Sequence, residues 1–174
     1  LEALERYVAV NPDAKDVRLH LARGLVAEKR YDDAQKHFKR LLSDNPENPE
    51  LLYPVAVIAL QQNDLATAEP LLKKVLAKGA ISEQGVAAYY LGQIAEDRKA
   101  FDEAASYYRQ VVSGDQYAPA QIRVAALLAK KDGGLDPARN HLQESARRYP
   151  PAETQFLVAE AELLAAETWV TENR

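Results

Sequence analysis

The side chains most able to do chemistry are three histidines, His20, His37 and His141, and no two of them stand at the i, i+4 spacing of a zinc-protease helix. There is no cysteine, so thiolate nucleophiles, disulfides and Cys-based zinc sites are excluded. Serines are few, and no G-x-S-x-G, P-loop or G-x-G-x-x-G pattern occurs, which leaves nucleophile-elbow and phosphate-cradle chemistry without support. Paired acids such as Glu160 and Glu162 read as a solvated helix face. The expectation is a non-catalytic protein with no cofactor and no metal.

Bulk composition narrows the partners. Nearly half of the 174 residues are hydrophobic, enough for a continuous core, and the formal net charge of -4 argues against a nucleic-acid partner. Lys130-Lys131 and Arg147-Arg148 read as solvated helix ends. No run approaches the ~18 apolar residues of a membrane-spanning helix. The chain begins at Leu1 and lacks methionine, so it is expected to be a segment of a longer protein.

A repeat organises these residues. Ala34, Ala68, Ala104 and Ala138 fall 34, 36 and 34 residues apart, each three positions after a large apolar residue: Tyr31, Leu65, Phe101 and Leu135. One helical turn beyond each alanine comes another bulky side chain, namely Phe38, Leu72, Tyr108 and Leu142. Small residues Ala22, Ala56, Gly92 and Ala126 recur twelve positions before it, where close helix approach needs them. Asn11-Pro12, Asn45-Pro46 and Tyr149-Pro150 stop the second helix of each pair, and Gly133-Gly134 marks the turn in the last complete hairpin.

The set Leu91, Gly92, Ala95, Phe101, Ala104 and Tyr108 resembles the tetratricopeptide repeat, and Ala34, Phe38 and Pro46 match its second half. The resemblance implies an all-α fold, an α-α superhelix in which helical hairpins stack as a right-handed solenoid. Residues 1–174 then form a single solenoid fragment: 1–12 as the second helix of a preceding repeat, four repeats at 15–48, 49–84, 85–118 and 119–152, and 153–174 as the first helix of a following one. The helices are expected near 15–29, 31–44, 48–62, 65–78, 83–98, 101–114, 118–131 and 135–148. Pro54 and Pro70 are expected to kink the second hairpin. In the final helix, Ala166 is expected at the small-residue position in place of Glu160, lengthening the helix and carrying Trp169 toward a neighbouring repeat.

In such a solenoid the first helices line the concave side. That face carries Leu19, Arg23 and Val26, then Tyr53, Val57 and Leu60, then Tyr89, Gln93 and Glu96, then Arg123, Leu127 and Lys130. Tyrosine and arginine favour a peptide or helix with apolar side chains and a few charges; alternatively Tyr53 and Tyr89 cover the core edge. The basic, asparagine-rich clamp by which family members hold chaperone tails is not reproduced by Leu19, Arg23, Val57, Tyr89 and Gln93.

The run Tyr90 to Glu96, continuing through Phe101 to Ala104 and Tyr108 to Val111, resembles bacterial tetratricopeptide lipoproteins of the outer membrane. Some of these act as adaptors for carboxyl-terminal processing proteases. The expected function is therefore a protein-protein interaction scaffold, a periplasmic adaptor anchored to the outer membrane by a segment outside this sequence. A structural or self-assembly module is the alternative. Apolar residues at both ends, Leu4, Val8 and Val10 against Leu163, Leu164 and Trp169, are expected to drive self-association. Leucine at Gly92 is expected to destabilise more than leucine at Gly114.

Overall fold

The computed structural model describes residues 1–131 and 135–172; the side chains of residues 49, 81, 131 and 167–172 stand outside that description. Among the described residues every regular element is helical: α1 Glu2–Val10, α2 Lys15–Ala27, α3 Tyr31–Asp44, α4 Pro49–Gln61, α5 Leu65–Lys78, α6 Ile81–Asp97, α7 Phe101–Arg109, α8 Tyr117–Lys131, α9 Asp136–Arg148 and α10 Glu153–Glu172, with a 3₁₀ turn at Pro150–Ala152. They form two compact units, Leu1–Ala80 and Ile81–Arg174. The turn expected at Gly133-Gly134 and the side chain of Trp169 fall outside the described residues.

Within the first unit, α2 pairs with α3 and α4 with α5, while α1 lies on α2 and α3 on α4. The repeat positions read from the sequence supply its core: Leu21, Ala22, Leu25, Ala34, Phe38, Val55 and Ile58 are all buried. Val8 is buried in the same core with Leu4 packed against it, so the expectation that both leave an open apolar end does not hold; the face of α1 that carries them is the face turned to α2. Val10 is 79% exposed. Helices α4 and α5 run on through Pro54 and Pro70, which lie inside them past the first turn, and their first turns are capped by Asn48 and Asp64, which accept from the Glu50 and Thr67 amides at 3.1 Å.

In the second unit, α6 pairs with α7 and α8 with α9, and α10 packs on α9 and α8. Tyr108, Leu91, Val111, Val124, Leu142 and Phe156 are buried there. The Tyr117 ring meets Tyr149 and Phe156 edge-on, with centroids 5.2 and 6.1 Å away.

Three of the hairpin turns share one geometry. Lys29, Asn63 and Lys99 have φ of 60°, 55° and 62°, and the amides of Arg30, Asp64 and Ala100 reach back to the carbonyls of Leu25, Ala59 and Ala95 at 2.8–2.9 Å. These are Schellman closures, which satisfy the last carbonyls of each first helix. None of the three uses glycine, although the left-handed region favours it.

Two expectations need correction. Helix α7 ends at Arg109, well short of residue 114: Val111 and Val112 are β-branched and Gly114 takes φ +79°, so the chain leaves the helix early. Helix α10 is long as expected, 20 residues against 13 to 17 in α2, α4, α6 and α8, but its small-residue position keeps the register of the preceding repeats. Phe156 and Ala159 are buried, Glu160 takes the small-residue position, and Ala166 is exposed. A small residue is needed where the second helix of the same hairpin approaches, and among the described residues α10 has no such partner. The Glu160 carboxylate instead accepts from Arg139 Nε at 3.0 Å and Gln143 Nε2 at 3.1 Å.

Candidate protein-binding surface

The residues expected on the first-helix face divide between the two units. In the first, Arg23 is exposed, and Leu19, Val26, Tyr53, Val57 and Leu60 are half-buried. In the second, Tyr89, Gln93 and Glu96 are half-buried, and Arg123 and Lys130 are exposed. Leu127 departs from the set. It is 6% exposed, because it forms the wall of a cavity between α7 and α8 shared with Phe101 and Ala105.

The structure joins four of these second-unit residues to one core ring. Glu96 accepts from the Tyr108 hydroxyl at 2.9 Å and from Arg123 Nη1 at 3.4 Å, which ties α6 to α8. The Tyr108 hydroxyl is held above its ordinary pKa by burial first and by the Glu96 carboxylate second, so it stays a donor. Gln93 Nε2 donates to the Tyr89 hydroxyl at 3.3 Å, and the Tyr89 ring lies edge-on to Tyr90 and tilted against Tyr108. Tyr89 therefore touches both the core edge and the surface.

Position-by-position comparison of the repeats exposes a polar device that the pattern alone did not reveal. Gln121 stands in register with Val17, Leu51 and Ala87, which makes it an amide at a core-facing position, and it is 5% exposed. Its Nε2 donates to the carbonyls of Tyr108 at 3.3 Å and Val111 at 2.9 Å, covering the frayed end of α7. Its Oε1 lies 3.0 Å from His141 Nε2, so that nitrogen carries the proton. Burial first, then Arg109 and Arg148, holds the His141 pKa below its ordinary value. His37, in register with His141, is also lowered, by burial first and then Arg18, against an opposing pull from Asp33 and Glu5.

Among the described residues no cluster of three or more His, Asp or Glu could hold a metal ion, and no helix is long and apolar enough to cross a membrane.

A family model for the tetratricopeptide repeat matches residues 1–49 and, overlapping them, 25–88, together half of the chain. The chain belongs to the tetratricopeptide repeat family. No match is found among curated proteins. Among solved structures the chain is similar to MamA, at 16% identity and a TM-score of 0.71 over 88% of each chain. It is similar to YrrB, described as a TPR protein with an unusual peptide-binding site, at 17% identity and 0.68 over 95% of this chain and 84% of that one. PilF of Pseudomonas aeruginosa follows at 16% and 0.62, over 90% and 70%. At these identities the likeness is one of fold, the tetratricopeptide solenoid. Proteins of this family generally mediate protein-protein interactions, the class to which this chain is assigned.

Proposed function

We propose that the chain is a non-catalytic adaptor that binds a protein or peptide on its first-helix surface, with Tyr89, Gln93, Glu96 and Arg123 as the contact centre in the second unit. The observation that carries this reading is the Tyr108–Glu96–Arg123 linkage. It fixes a carboxylate, a guanidinium and a neighbouring tyrosine before any partner arrives, so less side-chain freedom is lost on binding. Tyrosine and arginine are also the residue types that dominate binding energy at interfaces. Within that class the reading is a periplasmic adaptor, held at the bacterial outer membrane by a segment outside this sequence, whose partner is a carboxyl-terminal processing protease or its substrate. The resemblance of the Tyr90–Glu96 run supports that setting.

Immobilised protein exposed to bacterial envelope extract should retain such a protease. Tyr89→Ala with Arg123→Ala should weaken retention by about tenfold, ~1.4 kcal/mol, while Lys39→Ala with Glu103→Ala should leave it unchanged. Retention of a different protein, lost with the same tyrosine and arginine, would keep the surface and discard the protease. Loss with the outer-face pair alone would discard the surface.

A self-assembly module is the second reading, favoured by Leu157, Val158 and Leu164 on α10, which are 57%, 53% and 37% exposed. It predicts a sedimentation mass that rises with protein concentration and falls back on Leu157→Glu with Val158→Lys. A mass that stays monomeric at every concentration rules it out.

A further inference from the structure

We infer that the cavity between α7 and α8 is a side-chain pocket that selects a large apolar residue flanked by a carboxylate on the bound partner, a specificity element that rests on the protein-binding reading. The cavity measures about 360 Å³, at the low end of the range for small-ligand pockets, and its walls are Phe101, Ala105, Leu127 and Leu128. Phe101 is 45% exposed, although the residues in register with it, Tyr31, Leu65 and Leu135, are all half-buried. An aromatic ring left open above an apolar floor is a surface that gains by being covered.

The rim sets the sign of the partner's charge. Two cations border the opening, Arg109 from α7 and Lys130 from α8, and one carboxylate, Asp102. The Lys130 ammonium lies 6.0 Å from the Phe101 ring centroid. Neither Arg109 nor Lys130 has a hydrogen bond or ion pair among the described residues, whereas Asp102 is already engaged. The net charge of these three groups at the mouth is positive, and two cations with no carboxylate partner among the described residues, beside an apolar pocket, complement an acidic group next to an apolar side chain. Lys130 on α8 belongs to the same first-helix face as Arg123, two turns earlier, so an extended segment lying on Arg123 can reach the pocket.

Two short fluorescein-labelled peptides test this, one with phenylalanine between aspartate and glutamate, the other with phenylalanine between two lysines. At low salt the acidic peptide should bind about tenfold or more tightly than the basic one, and salt should erode the difference. The backbone amides of Ala105 and Leu128 should shift on its addition. Arg109→Glu with Lys130→Glu should reverse the preference while the circular dichroism stays helical. Equal binding of the two peptides, binding unaffected by the charge reversal, or no binding of either peptide overturns the pocket assignment. Acidic-peptide shifts confined to Tyr89, Gln93 and Arg123 also overturn it and leave the first-helix reading standing. If the protein also retains no envelope partner, the broader reading fails on its own test.

Discussion

Leucine in place of Gly92 is expected to cost ~1–3 kcal/mol and lower the denaturation midpoint sharply, because the space it would enter is already filled. A Cβ on Gly92 would lie 2.5, 2.6 and 2.9 Å from Cε1, Cδ1 and Cζ of the Tyr108 ring. That ring is fully buried, and its hydroxyl is tied to Glu96, so it has nowhere to turn. Ring size alone does not set this repeat apart, since Phe38 carries the same six-membered ring at the position paired with Ala22; what differs is the Tyr108 hydroxyl, whose bond to Glu96 fixes the ring against Gly92. Gly114 is a poor control. Nothing lies within 4 Å of its Cβ position, yet its φ of +79° strains any side chain there. Gly85 serves instead, since a Cβ would find only ordinary contacts at 3.9 Å and the residue sits in α6. Gly85→Ala should be neutral or stabilise by ~0.4–1 kcal/mol. Equal midpoints for Gly92→Leu and Gly85→Ala in urea would refute the close helix contact.

Gln121→Leu should also cost ~1–3 kcal/mol, although leucine is larger in apolar surface and fits a helix equally well. The loss comes from the partners left behind: the Val111 carbonyl and the Nε2 proton of His141 would be stranded in a half-dry pocket, while the Tyr108 carbonyl would keep the Val111 amide at 3.1 Å. Gln121→Glu should fail as well, for it keeps the acceptor but removes the two donations. An acid sensitivity belongs to the same cluster. The folded-state pKa of His141 is lowered, so as pH falls the unfolded chain takes up its proton first. Stability is then complete above the unfolded value of ~6.5 and is lost as pH drops through the folded value. The melting temperature should fall between about pH 7 and about pH 5, and His141→Gln should flatten the part of that slope due to this residue, His37 supplying a second part with the same sign. A melting temperature that rises on acidification over that range would contradict the buried imidazole. For Gln121→Leu, an unchanged urea midpoint would show that water already covers the α7 end.

The period of the repeat was legible because it is written in size. Alanine or glycine against a bulky partner on the other helix of its own hairpin can be read without coordinates, and so can the proline stops. The Schellman turns were not legible from composition: Lys29, Asn63 and Lys99 adopt a backbone that glycine prefers, imposed by the hydrogen bonds to Leu25, Ala59 and Ala95. The early end of α7 leaves the carbonyls of Tyr108 and Val111 to an amide from the next helix, and the sign of it in the sequence is Gln121 standing where the register expects an apolar residue. In α10 a length change was inferred from Glu160 at a small-residue position; the contacts show that the position tolerates a carboxylate when Arg139 and Gln143 meet it. The surface residues were hardest, since Leu127 and Phe101 exchange the exposures that their repeat positions imply.

Most of the packing inside each unit joins helices that are neighbours in the chain, α2 with α3, α3 with α4 and α4 with α5 in one, α6 through α10 in the other, where α10 also reaches back one helix to α8. Time is the consequence. Contacts that close over one repeat length demand little loop closure, and chains dominated by them fold in microseconds to milliseconds. Synthesis adds only ~5–20 residues each second, so within each unit a hairpin has ample opportunity to form while the rest of the chain is still being made. The order of translation thus becomes the order of assembly inside a unit, with its finished hairpin offering the next helices a surface on which to settle.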